Sequence, residues 1–179
     1  SRTHKAGLGF IMDFVPNHVA RQYHSDACPE GVEDLGANDD RTVAFSTQNN
    51  FYYLPGRPLH LDYIVGRHSN YSEVPAKVTG IDWYETVKLN YGIDYQNGYR
   101  RCFTPHPDTW GKMLGILLFW AAKGVDAFRC DMAEMVPVEF WHWAIREVKK
   151  QYPDIIFIAE VYNPALYREY VRRGGFDYL

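Results

Sequence analysis

The chain has 179 residues, 46% of them hydrophobic and 23% charged, values of a globular chain with enough apolar material for a sizeable core; neither disorder nor a fibre is indicated. Nineteen basic against 22 acidic residues leave a formal net charge of -3, without the basic excess that would attract a nucleic acid. No apolar run approaches the roughly 20 residues of a membrane span, and the opening "SRTHKAGLGF" lacks the apolar stretch of a signal peptide.

Cysteines 28, 102 and 130 are odd in number, widely spaced and without a CxxC pair, so neither a disulfide framework nor a zinc site is expected. The redox compartment stays open. Aromatics reach 16%, with 14 tyrosines and 5 tryptophans. They can serve as core and interface packing or as platforms for sugar rings, and composition alone does not separate the two.

In chain order, "GLGFIMDFV" (7 to 15) reads as a buried strand. The next stretch, about 19 to 107, is far too long for a loop in a compact domain, where connections beyond about 15 residues are already unusual. An inserted subdomain is expected there. Its "DLGANDD", "NNFYYLPGRPLH" and "QNGYRR" are rich in Gly, Pro, Asn and Tyr, which predicts turns and short irregular strands.

The spacing of Trp110, Met113, Leu114, Leu117 and Ala121 then predicts a helix with Asp108 as N-cap and Gly124 as stop. "VDAFRCD" (125 to 131) is a second strand. "PVEFWHWAIREVKKQYP" follows as a helix with Pro137 in its first turn, an apolar face of Phe140, Trp141, Ala144, Ile145 and Val148, and Pro153 as its end. "IIFIAEV" (155 to 161) is the third strand, "PALYREYVRRGG" a further helix, and "FDYL" the start of another strand. This alternation argues for an α/β fold with a parallel sheet and right-handed crossovers.

A closed (β/α)8 TIM barrel takes about 250 residues. Only three full strands and the start of a fourth are readable, the chain opens just before a strand, and it stops on the apolar "FDYL". The expectation is a fragment of a larger protein, divided into a barrel part at 1–18, the insertion at 19–107 and a second barrel part at 108–179.

Strand side chains alternate between faces. One face therefore collects Ile11, Asp13 and Val15 from the first strand, Val125, Ala127, Arg129 and Asp131 from the second, and Ile156, Ile158 and Glu160 from the third. Three strands thus deliver Asp13, Asp131 and Glu160 at their carboxyl ends, where α/β barrels keep their active sites. With strands about 4.8 Å apart, Asp131 and Glu160 can reach the roughly 5 to 5.5 Å used by retaining glycosidases. Arg129 should hold Asp131 ionised, while Glu160, partly desolvated beside an anion, should be pushed toward its protonated form.

A structural ion pair between Arg129 and Asp131, with Glu160 ending a strand, is the plainer alternative for each residue singly; the coincidence on three strands weighs against it, since unpaired buried charge is costly. Past the first strand, "DFVPNHVA" offers Asn17 and His18: a histidine donor for a sugar hydroxyl, and a carbonyl oxygen for calcium, or for each a loop-ordering hydrogen bond. "HSDACPEGVEDLGANDD" is rich in oxygen ligands but does not match the EF-hand pattern, and it reads as a solvated acidic loop before it reads as a metal site.

These residues resemble the α-amylase family of glycoside hydrolases. "DFVPNH" resembles its first signature, "GVDAFRCDMAEMV" its second, built on Gly-x-Arg-x-Asp, and "IAEVY" its third; "TVKLNYG" (86 to 92) is similar to the motif such enzymes carry in the domain inserted after the third barrel strand. The resemblance covers essentially the whole chain. It implies a partial TIM barrel, strands three to five with the start of the sixth, and an irregular subdomain inserted after strand three. It further implies Asp131 as nucleophile, Glu160 as general acid and base, Arg129 as orienter of the nucleophile, His18 as a binder of the cleaved sugar, Asp13 as a support of the site, and Asn17 as a candidate ligand of a structural calcium.

The implied activity is retaining cleavage or transfer of α-glucosidic linkages in starch, maltodextrin or related glucans, with an oligo- or polysaccharide as partner and no cofactor needed for the chemistry. Two departures stand out. The fourth signature, which supplies a third essential carboxylate, would lie beyond residue 179, so the fragment alone is expected to be inactive. Where many amylases have Lys-His shortly after the nucleophile, this chain has Glu134 and Met135. Two other classes remain: a non-catalytic relative that binds carbohydrate or a partner, which would have no need for both Asp131 and Glu160, and a metal-dependent barrel enzyme, whose cation Arg129 would repel. Oligomeric state and cellular address are not encoded in these motifs.

Overall fold

The structure is a computed structural model that describes residues 2–21, 23–56 and 86–179. Parts of the expected insertion, residue 22 and residues 57–85, including the end of "NNFYYLPGRPLH", lie outside the described residues. The chain divides into two compact units, one of Ser1–Asn17 with Lys112–Leu179, the other His18–Gly111.

The first unit is built on a parallel sheet of β1 (Ile11–Phe14), β6 (Ala127–Cys130) and β7 (Ile156–Ala159), in the order β1-β6-β7. A single turn of helix, α1 (Arg2–Lys5), precedes β1, and helices α2 (Asp108–Ala122, whose residues from Lys112 on belong to this unit) and α3 (Val138–Gln151) precede β6 and β7. This is the α/β alternation with a parallel sheet read from the sequence. Asp108 is the first residue of α2 itself, and Gly124, at φ 84, closes it by donating its N–H to Ala121. The left-handed backbone there is the reason for a glycine.

One sheet face and one helix face make the core. Phe14, Phe128 and Phe157 project from the three strands and are 6%, 0% and 0% exposed. Phe14 meets Trp141 of α3 edge to face at 6.3 Å between ring centroids, and Phe128 lies 5.6 Å from Phe157. On α3 the buried residues are Val138, Phe140, Trp141, Ala144, Ile145 and Val148, the 3.6-residue stripe expected of a helix laid on a sheet. The opposite sheet face is open: Ile11 is 55% and Ile156 38% exposed.

After β7 the expected helix over 164–175 is broken into a 3-10 turn (Pro164–Leu166), a short α segment (Tyr167–Glu169) and a wide π turn (Tyr170–Gly174). "FDYL" then runs parallel to β7, with Tyr178 bridged to Ile158 and the Ala159 N–H donated to Tyr178. That one bridge is the extent of the strand pairing in these last residues.

The second unit has little regular structure: β2 (His18–Ala20) pairs antiparallel with β3 (Thr86–Lys88), and β4 (Ile93–Asp94) with β5 (Arg100–Arg101). Buried side-chain amides replace the missing ladder. Asn90, fully buried, donates to Ser46 O and Asn49 O at 2.8 and 2.9 Å and accepts the Gly92 N–H at 2.9 Å. Asn50 accepts from Gly36, and Asn49 accepts from Asp40. Each such bond satisfies main-chain groups that a loop would otherwise bury unpaired. Of the aromatics, Tyr52, Tyr53, Tyr91 and Trp110 here, and Trp141 in the first unit, are buried and serve as core.

Candidate active site

Register brings the acids together. Arg129 pairs with Asp13 on β1 and with Ile158 on β7, and Cys130 pairs with Ala159. One residue further on, Asp131 and Glu160 therefore stand at the same height. Their backbones are still held by the sheet: Asp131 donates its N–H to Phe14 O at 2.8 Å, and Glu160 donates to Cys130 O at 3.0 Å. Asp13, level with Arg129, sits one pleat lower than the other two acids.

The alternation of strand side chains puts all four on the open face, and there the guanidinium of Arg129 joins them. Its Nη1 lies 2.7 Å from Asp131 Oδ1 and 3.0 Å from Asp13 Oδ1, and its Nη2 lies 2.8 Å from Glu160 Oε1. The side chains of Asp131 and Glu160 are 21% and 24% exposed, that of Asp13 59%. The Arg129 guanidinium is held above its ordinary value, first by the Asp13 hydrogen bond, with burial opposing and Asp131 and Glu160 adding to the rise.

The turn after Asp131 supplies further donors. Met132 adopts a left-handed backbone, φ 46 and ψ 41, uncommon for a residue with a long side chain. This aims its N–H at Glu160 Oε2, 2.8 Å away, and the next N–H, of Ala133, at Glu160 O, 3.0 Å away. Trp141 pins the turn from α3, donating Nε1–H to Ala133 O at 3.0 Å. Tyr162, two residues past Glu160, donates its hydroxyl to Glu160 Oε1 at 2.8 Å.

These donors correct one expectation. Burial does pull the Glu160 carboxyl upward, but the Met132 N–H, the Tyr162 hydroxyl and the Arg129 charge outweigh it, and Glu160 lies below its ordinary value rather than above. Reading burial and a neighbouring anion alone missed three donors aimed at both carboxylate oxygens. Met132 and Tyr162 carried no signal in strand parity, because both lie beyond the strands; only the nearness of Tyr162 to Glu160 in the chain hinted at it.

His18 is in β2 of the second unit, paired in register with Lys88. Asn17 is 2% exposed in the first unit. As a calcium ligand it would bring a single oxygen, and among the described residues no group of three or more His, Cys, Asp or Glu side chains gathers to hold a metal.

No family model matches the chain. Among curated proteins it is 45% identical over 114 residues to the α-1,4-glucan:maltose-1-phosphate maltosyltransferase of Cereibacter sphaeroides, a match covering 60% of this chain and 19% of that protein. To the enzyme of the same name from Rhodospirillum rubrum it is 40% identical over 104 residues, 53% of this chain and 15% of the relative. The chain thus spans less than a fifth of the length of the curated relatives it matches. Among solved structures, a cyclomaltodextrinase superposes with a TM-score of 0.62 at 23% identity, covering 98% of this chain and 24% of that one. An α-amylase from Lactobacillus plantarum gives 0.54 at 24% identity, covering 97% and 29%. The chain is similar, in sequence and in fold, to enzymes of the α-amylase family.

Proposed function

We propose that this chain carries the catalytic acid pair of a retaining enzyme that cleaves or transfers α-glucosidic linkages, as part of a longer parent protein. The observation that carries the reading is the sharing of Arg129 by Asp131 and Glu160 on neighbouring strands of one sheet face. Two carboxyl groups held on one guanidinium suit the close spacing of a retaining pair better than the wider spacing that an inverting enzyme keeps for its water. Arginine at the centre of the acids also speaks against a metal-dependent reading, because it already occupies the place a cation would take. A non-catalytic binding relative would have no use for both acids.

In this reading Asp131 attacks the anomeric carbon as the bond to the leaving oxygen breaks, and Glu160 gives that oxygen its proton. Glu160, now a carboxylate, takes a proton from water or from a sugar hydroxyl, whose oxygen displaces Asp131. Arg129 keeps Asp131 ionised and aimed. Because the open site favours ionised Glu160, proton donation calls for substrate to cover the pair, which desolvates it and raises its proton affinity.

The same proposal makes the chain strands three to five of a (β/α)8 barrel, with "FDYL" opening the sixth and residues 19–107 an insertion between the barrel parts 1–18 and 108–179. The open sheet face supports this: Ile11 and Ile156 would then fill the barrel interior. By resemblance, His18 binds the sugar that is cleaved and Asp13 supports the site through Arg129. The substrate class is an oligo- or polysaccharide of α-linked glucose, and the names of the relatives favour transfer to a glucan acceptor over hydrolysis.

Treating the full-length parent with an activated fluoro-sugar that traps the glycosyl-enzyme, and mapping the modified peptide by mass spectrometry, tests the reading. A label on Asp131 supports it. A label on another residue overturns the assignment.

A further inference from the structure

We propose that Tyr162 is a positioning residue for Glu160, and that Glu134 holds Tyr162 in place by accepting its main-chain N–H; the inference rests on the reading of Glu160 as proton donor. Tyr162 is 63% exposed, so its ring gains little from burial. An exposed phenol free to rotate would visit many directions, yet this one donates to Glu160 Oε1 at 2.8 Å. What restrains it is the main chain: Glu134 Oε2 accepts the N–H groups of Tyr162 at 2.9 Å and of Asn163 at 3.0 Å. Asn163 in turn accepts the Ala165 N–H through its side chain, starting the next turn.

Glu134 is itself anchored. It lies in the 3-10 turn Ala133–Met135, where the Tyr170 hydroxyl contacts Glu134 O at 3.0 Å and Val136 O at 2.9 Å. The turn after Asp131 and the segment after Glu160 are therefore laced together at both ends: Met132 and Ala133 grip Glu160, and Glu134 grips Tyr162 and Asn163. This gives a use to the residue that replaces the lysine of many amylases. A carboxylate at position 134 ties the segment that carries the proton donor to the segment that carries the nucleophile.

The groups facing Glu160 are Arg129 and Asp131 from β6 and its end, the Met132 N–H and Tyr162, with Asp13 of β1 reached through Arg129. A phenol donating to the carboxylate favours its ionised form. In the parent enzyme, Tyr162→Phe should move the alkaline limb of the kcat/KM profile upward by roughly half to one pH unit. It should also lower kcat/KM for unactivated glucans about tenfold, while activated glycosides whose leaving group departs without a proton are little changed.

Glu134→Ala should shift the limb in the same direction, Glu134→Gln, which keeps an acceptor oxygen, should leave it in place, and the double variant should shift no further than Tyr162→Phe alone. A limb unmoved in Tyr162→Phe overturns the role of Tyr162, and additive shifts overturn the Glu134 link. Glu160→Gln separates the two levels: if it leaves turnover of unactivated glucans intact, the reading of Glu160 as donor falls. If it abolishes that turnover while Tyr162→Phe leaves the limb unmoved, only the present proposal falls. The exposure of Tyr162 makes its variant the one least able to disturb folding.

Discussion

Nη2 of Arg129 lies 2.8 Å from Oε1 of Glu160 while Nη1 lies 2.7 Å from Oδ1 of Asp131, so one cation is shared by two acids on adjacent strands. Removing it would leave three neighbouring carboxylates to repel one another. Lysine would restore the charge but not the fork, since an ammonium is a point donor and cannot span both acids in one plane. Arg129→Ala and Arg129→Lys should each lower kcat of the parent enzyme by about a hundredfold or more. For Arg129→Ala, urea unfolding should show a loss of about 1–2 kcal/mol, between the values of exposed and buried pairs. Full activity in the lysine variant would mean that charge alone suffices.

The direction of the Glu160 shift fixes a pH dependence. Glu160 lies below its ordinary value in the folded chain, and so does Asp34, where burial is outweighed by the Ser25 and Leu35 donors. A carboxyl depressed by folding binds fewer protons folded than unfolded, so its contribution to stability is present above the ordinary carboxylate range and is lost as pH falls through the folded value. Urea midpoints should therefore decline below about pH 4. Glu160→Gln should make that decline shallower, and an identical decline in the variant would remove Glu160 from the account.

Trp141 links core to site. It is fully buried between Phe14, Phe140 and Phe176, and its Nε1–H is donated to Ala133 O. Trp141→Phe removes one of the two donors to that carbonyl, leaving only the Val136 N–H at 3.2 Å, and opens a small void, which should cost about 2 kcal/mol in denaturant unfolding. Activity should fall as well, because Ala133 also donates to Glu160 O. Lost stability with unchanged kcat would uncouple the core from the turn.

Gly92 tests the second unit. At φ 88, an added Cβ would meet Pro107 Cγ at 2.5 Å and Cys102 O at 2.6 Å. Gly92→Ala combines a disfavoured backbone with a steric clash and should destabilise the protein by about 2 kcal/mol or more, read as a fall in the thermal midpoint.

Much of the site was legible because a strand has a side-chain period of two. Parity alone put Asp13, Arg129, Asp131 and Glu160 on one face, and the apolar stripe of α3, Phe140 to Val148, named the face that covers the other side of the sheet. Those features are local, and local chain geometry is what a sequence encodes most directly. The hydrogen bonds that set the charge of Glu160 are not local in this sense. They depend on a left-handed Met132, on where β7 ends relative to Tyr162, and on Glu134 reaching a segment 28 residues away.

The sequence by itself determined which acids the sheet would present together, and at which end of the strands. Only the tertiary structure decided that Glu160 is held ionised in the open site, because that balance depends on donors brought in by turns, and a turn's course is set by packing across the chain rather than by the periodicity of its own residues.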